Sequence, residues 1–139
     1  MKSLLRQLRE AFPEEPLPER PVTDHRCPDC DRADELLGGQ PWPEVALGFP
    51  QECHDDFELL TPVAQRYYLP AFMLSVFGSN GMQSESLESA LTSGQFPPAS
   101  FTKSQREAIG RWVVEFWGSS MGWEDPPPQL AEWWAEVGV

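Results

Sequence analysis

The sequence predicts an all-α protein, a small irregular helical bundle around a central proline-containing helix with a metal-knuckle turn. Three observations carry that prediction. Residues 61 to 77, Thr-Pro-Val-Ala-Gln-Arg-Tyr-Tyr-Leu-Pro-Ala-Phe-Met-Leu-Ser-Val-Phe, form the most apolar stretch of the chain. Apolar residues elsewhere recur at three and four positions, the helical period, and no stretch shows the alternation of a half-buried strand.

The first helix is read over residues 3 to 12. Leu4, Leu5, Leu8, Ala11 and Phe12 share one side, Arg6, Gln7, Arg9 and Glu10 the other, and Ser3 is the cap. Pro13, Pro16, Pro18 and Pro21 then force an extended run. Residues 25 to 37, His-Arg-Cys-Pro-Asp-Cys-Asp-Arg-Ala-Asp-Glu-Leu-Leu, read as a knuckle turn leading into a short helix that stops at Gly38-Gly39. Trp42, Val45, Ala46 and Leu47 make one or two helical turns. A short segment from Glu52 to Leu60 then delivers Cys53 and His54 next to the central helix.

Thr61 caps the central helix and Pro62 occupies its first position, where a missing N–H costs nothing. About seventeen residues at roughly 1.5 Å each make a rod of about 25 Å, the width of a small domain. From Tyr67 to Phe77 the apolar residues go all the way round, so other elements must cover most of its sides. Pro70 predicts a kink or break, and the hydroxyls of Tyr67 and Tyr68 need partners if they are buried. Gly78, Ser79, Asn80 and Gly81 end the rod. Residues 84 to 91 make a weak short helix, and Pro97-Pro98 closes the following loop. Thr102 and Gln105 form a capping box that opens a helix over 103 to 117, with Ala108, Ile109, Trp112, Val113, Phe116 and Trp117 as its apolar stripe. Three prolines at 126 to 128 precede a last helix, 128 to 137, whose apolar side is Leu130, Trp133, Trp134 and Val137.

At 139 residues, 40% of them hydrophobic with six Trp and eight Phe, the chain has the material for one domain, 1–139. Within it, 13–24 is a proline-rich connection and 118–139 a Trp-rich C-terminal extension. The formal charge of −12 opposes a nucleic-acid backbone or an anionic membrane and favours a basic protein partner. Residues 24 to 60 hold ten carboxylates against Arg26 and Arg32. Charges at Arg6, Arg9 and Glu10 interrupt any signal-peptide core, which predicts a cytoplasmic protein, and three cysteines in such a compartment suggest free thiols or metal ligation before disulfides.

All three cysteines and both histidines fall in two clusters, His25-x-Cys27-x-x-Cys30 and Cys53-His54. Thiolate and imidazole are preferred zinc ligands, and Cys-x-x-Cys spacing lets one turn offer two sulfurs to one ion. The expected set is His25, Cys27, Cys30 and Cys53, with His54 able to replace His25 or Cys53; the expected zinc is structural. Buried thiols with no metal role are the plain alternative. A thiol redox pair at Cys27 and Cys30 is another; it needs a strand leading into the motif, and Arg20 to Asp24 is a poor strand. The His-x-Glu of a zinc deaminase is missing. Adjacent Cys53 and His54 do not face each other as a nucleophile and base would, and there is no Gly-rich phosphate loop or Gly-x-Ser-x-Gly elbow.

Thr61-Pro62-x-Ala64-x-x-Tyr67-Tyr68-Leu69-Pro70-Ala71-Phe72, together with His25-x-Cys27-x-x-Cys30, Trp42 and Thr102-x-x-Gln105-Arg106, resembles a family of small bacterial domains of unknown function. The resemblance covers roughly residues 4 to 117. It implies a compact bacterial cytosolic domain and brings no activity, so no catalytic residue is carried over. The function expected is a non-enzymatic acidic binding protein of immunity or regulatory type. Its candidate contacts are Asp55, Asp56 and Glu58 near the metal, and Glu132, Trp134 and Glu136 on the last helix. The alternative is a small zinc-dependent hydrolase with an open metal position, Asp55 or Asp56 as base, and a cleft beside Pro70.

Overall fold

The computed structural model describes residues 3–24, 27–49, 53, 57–78, 87, 90–91 and 96–116. These residues are predominantly helical. They form α1 (Leu4–Ala11), α2 (Pro28–Leu37), α3 (Trp42–Leu47), α4 (Pro62–Ser75) and α5 (Lys103–Glu115), with short 3-10 turns at Phe57–Leu59, Val76–Gly78 and Pro98–Ser100. Among the described residues there is no strand, only an isolated antiparallel bridge between Thr23 and Leu60. The last helix expected over 128 to 137 lies outside them, as does most of the weak helix expected over 84 to 91.

The chain divides into two compact units, Pro13–Ser75 and the remainder, Met1–Phe12 with Val76–Val139. In the second of these, Ser3 caps α1 by accepting the amide of Arg6, and the Thr102–Gln105 capping box opens α5 with both of its hydrogen bonds made. The two helices pack against each other. Leu4, Leu8, Ile109, Trp112 and Val113 are buried. Arg111 ties the pair at their margin, donating to Gln7 at 2.9 Å and to Glu115 at 2.7 Å. Aromatic rings fill the rest of this core. Trp112 stacks on Phe116 with centroids 5.5 Å apart, and Phe101 meets Phe12 and Phe96 edge on, each at 6.3 Å.

In Pro13–Ser75, α4 is the buried rod, with Ala64, Gln65 and every residue from Tyr68 to Met73 inside, and α3 packs against it. Thr61 caps α4 as expected, its hydroxyl accepting the amide of Ala64 at 3.1 Å. Of the kink or break expected at Pro70, the break does not occur: α4 runs through Pro70 to Ser75. Pro70 and its neighbours Leu69 and Ala71 are buried, so tertiary packing on several sides outweighs the one helical hydrogen bond that proline removes. Phe72 meets Phe49 and Phe57 edge on at 4.9 and 5.2 Å. The buried Gln65 amide donates to the Phe57 carbonyl at 3.0 Å and holds the 3-10 turn against the rod.

The two adjacent tyrosines of α4 serve the ends of two other helices. α3 begins at Pro41, which offers no side-chain cap, and the Tyr67 hydroxyl accepts the orphan amide of Trp42 at 3.1 Å while donating to the Glu14 carbonyl at 2.6 Å. The buried Tyr68 hydroxyl lies 2.6 Å from the Leu37 carbonyl at the end of α2 and 2.9 Å from the Gln40 carbonyl, and donates to this pair of acceptors. Thus Tyr67 and Tyr68 fasten the proline-rich run, the α2 terminus and the α3 start to one rod.

Candidate functional site

The chain is held on two sides before it reaches Cys27. From one side, Asp34 of α2 takes the Arg20 guanidinium at 3.0 Å and the Val22 amide at 2.8 Å. From the other, the Thr61 amide donates to the Val22 carbonyl at 2.8 Å and the Asp24 amide to the Leu59 carbonyl at 3.1 Å. The buried Thr23 hydroxyl donates to the Cys30 carbonyl at 3.4 Å. The turn after α2 leaves room for this clamp only because residue 38 is glycine: a Cβ there would stand 2.5 Å from Arg20 Nε and 2.6 Å from the Asp34 carbonyl. Gly39, at φ +80°, turns the chain away.

Cys27 is the N-cap of α2, with extended backbone, and Pro28 opens the helix. Its sulfur occupies the place a serine or aspartate oxygen usually takes, accepting the amide of Cys30 at 3.2 Å. The Cys27 thiol also donates to Cys30 Sγ, 2.8 Å away. Cys27 is partly exposed and Cys30 fully buried. None of the three cysteines is in a disulfide.

The structure therefore brings together two of the expected metal ligands. Two sulfurs of a tetrahedral zinc site, each about 2.3 Å from the ion, stand about 3.8 Å apart. The Cys27–Cys30 pair at 2.8 Å must open by about 1 Å to take one, a movement that partly exposed Cys27 has room for. Cys53 is fully buried, while His25, His54, Asp55 and Asp56 lie outside the described residues. Among the described residues no three Cys, His, Asp or Glu side chains are grouped to hold a metal ion. Of the expected partner contacts, Glu58 is exposed on the 3-10 turn, and Glu132, Trp134 and Glu136 lie outside the described residues.

Sequence reading missed Thr23 and Asp34, which position the turn. A local signal for Asp34 does exist. It stands four residues after Cys30, so a carboxylate on that side of α2 faces whatever runs beside the cysteines.

Burial pushes the Asp34 carboxyl up, but the hydrogen bonds from Arg20 and the Val22 amide, with the Arg20 charge, outweigh it and hold the group below its ordinary value. A carboxyl depressed in the folded state contributes stability in full above its unfolded value, about 3.9, and loses that contribution as pH falls through the folded value. Asp34→Ala removes the partner of the buried Val22 amide and should cost about 1–3 kcal/mol at pH 7. Urea midpoints from pH 7 to pH 2 check this, with the deficit of the variant shrinking toward the acid end. An equal deficit at every pH would show that the carboxylate charge is not what holds the segment.

No protein family matches this chain, nor does any curated protein or any solved structure.

Proposed function

We propose that this chain is a non-enzymatic, acidic binding protein of immunity or regulatory type, acting in the cytoplasm on a basic protein partner. The observation that supports it is where the charge sits. Pro13–Ser75 carries thirteen carboxylates against four arginines and no lysine, and Glu14, Glu15, Glu19, Asp24, Asp29, Asp31, Glu35, Glu44 and Glu58 are all exposed. A surface of one sign speeds encounter with a partner of the opposite sign and rejects nucleic acid and anionic lipid. Among the described residues no helix is long and apolar enough to cross a membrane.

A structural zinc belongs to the same proposal. Cys27 and Cys30 supply two thiolates, and His25, Cys53 and His54 are the remaining candidates. Such an ion would tie the start of α2 to the segment before the central rod and add folding energy there.

Elemental mass spectrometry on protein purified without chelator should find about one zinc per chain, and EDTA should lower the melting temperature. Metal-free protein that melts at the same temperature with or without added zinc would end the zinc reading. For the partner, affinity capture at low salt should retain a basic protein that salt releases. Joint replacement of Glu35, Glu44 and Glu58 by lysine, with the circular dichroism spectrum unchanged, should abolish retention. Retention unaffected by those replacements would locate the contact elsewhere and remove the support this surface provides.

A further inference from the structure

We infer that Cys27 and Cys30 are a redox-active dithiol, in which Cys27 is the attacking thiol and Cys30 the resolving one, closing to a disulfide across the first turn of α2. The inference goes beyond the binding role, and it competes with zinc for the same two sulfurs.

Four features of the turn support it. The sulfurs are 2.8 Å apart and closure brings them to about 2.05 Å; Cys27 is the N-cap, with extended backbone, and its carbonyl already holds the Asp31 amide at 2.8 Å, so the first turn of α2 stays bonded while the Cys27 side chain rotates. The pair is asymmetric in the sense such chemistry needs: Cys27 is partly exposed to an incoming disulfide and Cys30 is wholly buried behind it. Pro28 presets the first helical residue and the Cys30 amide already points at Cys27 Sγ, so the turn is organised before reaction. The chain before the motif is fixed by tertiary structure: Val22 to Asp24 is bonded to Leu59 to Thr61 around the isolated Thr23–Leu60 bridge, and the Thr23 hydroxyl donates to the Cys30 carbonyl.

The oxidant is a low-molecular-weight disulfide. The Cys27 thiolate attacks one of its sulfurs, the external S–S bond breaks, a mixed disulfide forms on Cys27, and one thiolate leaves. Cys30 Sγ then attacks Cys27 Sγ, the mixed bond breaks, the Cys27–Cys30 bond forms, and the second thiolate leaves. Two protein thiols are oxidised by two electrons, one external disulfide is reduced to two thiols, and the two protons pass through solvent to the departing thiolates. Run in reverse, the same steps reduce the protein. Cys53, fully buried, has no access to the oxidant.

The test uses the full chain as purified, reduced and without chelator, equilibrated anaerobically with reduced and oxidised glutathione at graded ratios. Acid quenching, alkylation and peptide mapping should show loss of two hydrogens, a Cys27–Cys30 cross-link and an alkylated Cys53. Cys30→Ser should stop at a glutathione adduct on Cys27. Cys27→Ser should give neither adduct nor cross-link, and because serine is itself a strong N-cap that variant keeps the start of α2. Cys27 and Cys30 both alkylated at the most oxidising ratio, or a cross-link running to Cys53, would overturn the inference. Zinc counted on the same preparation before oxidation reads the metal proposal separately: zinc with no cross-link overturns the dithiol and keeps the metal, and a Cys27–Cys30 cross-link in zinc-free protein does the reverse.

Discussion

Trp42→Ala should destabilise Pro13–Ser75 by about 3–5 kcal/mol, the range for removing a large buried aromatic. Trp42 is fully buried at the first position of α3, on the helix that packs against the central rod. Removing its indole leaves a cavity among side chains that cannot all move inward, because Tyr67 and Tyr68 hold the start of α3 and the turn before it in place. Its backbone amide, bonded to the Tyr67 hydroxyl, survives the substitution, so the loss is one of packing. A second variant separates packing from polarity. The indole Nε1 is buried with no hydrogen-bond partner among the described residues, and a buried donor left unpaired costs about 1–3 kcal/mol. Trp42→Phe keeps most of the apolar volume and deletes that donor, so its cost should be well below that of alanine. Urea unfolding followed by circular dichroism measures both. A phenylalanine variant as unstable as the alanine variant would mean that the indole N–H is satisfied in solution and that its partner carries the difference.

Tyr68→Phe should cost about 0.5–1.5 kcal/mol at neutral pH, the net worth of the hydrogen bond that its hydroxyl shares between the Leu37 and Gln40 carbonyls. The Leu37 carbonyl keeps a second donor, the Gln40 amide at 3.2 Å, so the loss falls mainly on the Gln40 carbonyl. Burial pushes the Tyr68 hydroxyl well above the ordinary tyrosine value, and the neighbouring Tyr67 adds to the shift. Tyr67 is raised too, first by burial. A hydroxyl raised in the folded state contributes in full below its unfolded value, about 10, and that contribution is lost as pH rises beyond it toward the folded value. Wild-type stability should therefore fall steeply above about pH 10, and Tyr68→Phe, with nothing left to ionise at that position, should fall less. Urea midpoints between pH 7 and pH 11 decide it. Parallel alkaline declines in the two proteins would show that Tyr68 ionises without opening the core.

What could be read directly from the sequence shares one property: the interacting groups are three or four residues apart. Ser3 with Arg6, Thr61 with Ala64 and Thr102 with Gln105 are caps made by chain neighbours, and the helix starts follow from them. The Cys27–Cys30 pair belongs to the same class, which is why half of the proposed site was visible as a motif. The other half was not, because the segment that clamps the turn draws its partners from residues fourteen positions away, Asp34 for Arg20, and from Leu59 and Thr61 for Val22 to Asp24.

The sequence by itself thus determined an all-α chain with these caps, an apolar rod at its centre and a paired thiol turn before it, since local hydrogen bonds and helical periodicity need no knowledge of the rest of the molecule. Tertiary structure alone decided that α4 continues through Pro70, that the Tyr67 and Tyr68 hydroxyls close helix ends and loops 25 to 53 residues away, and that Thr23, in a poor strand sequence, is bridged to Leu60. Each of these depends on a packing or hydrogen-bond partner brought near by folding, and such partners together outweigh the local cost of a proline inside a helix and the weak preference of an unpaired segment.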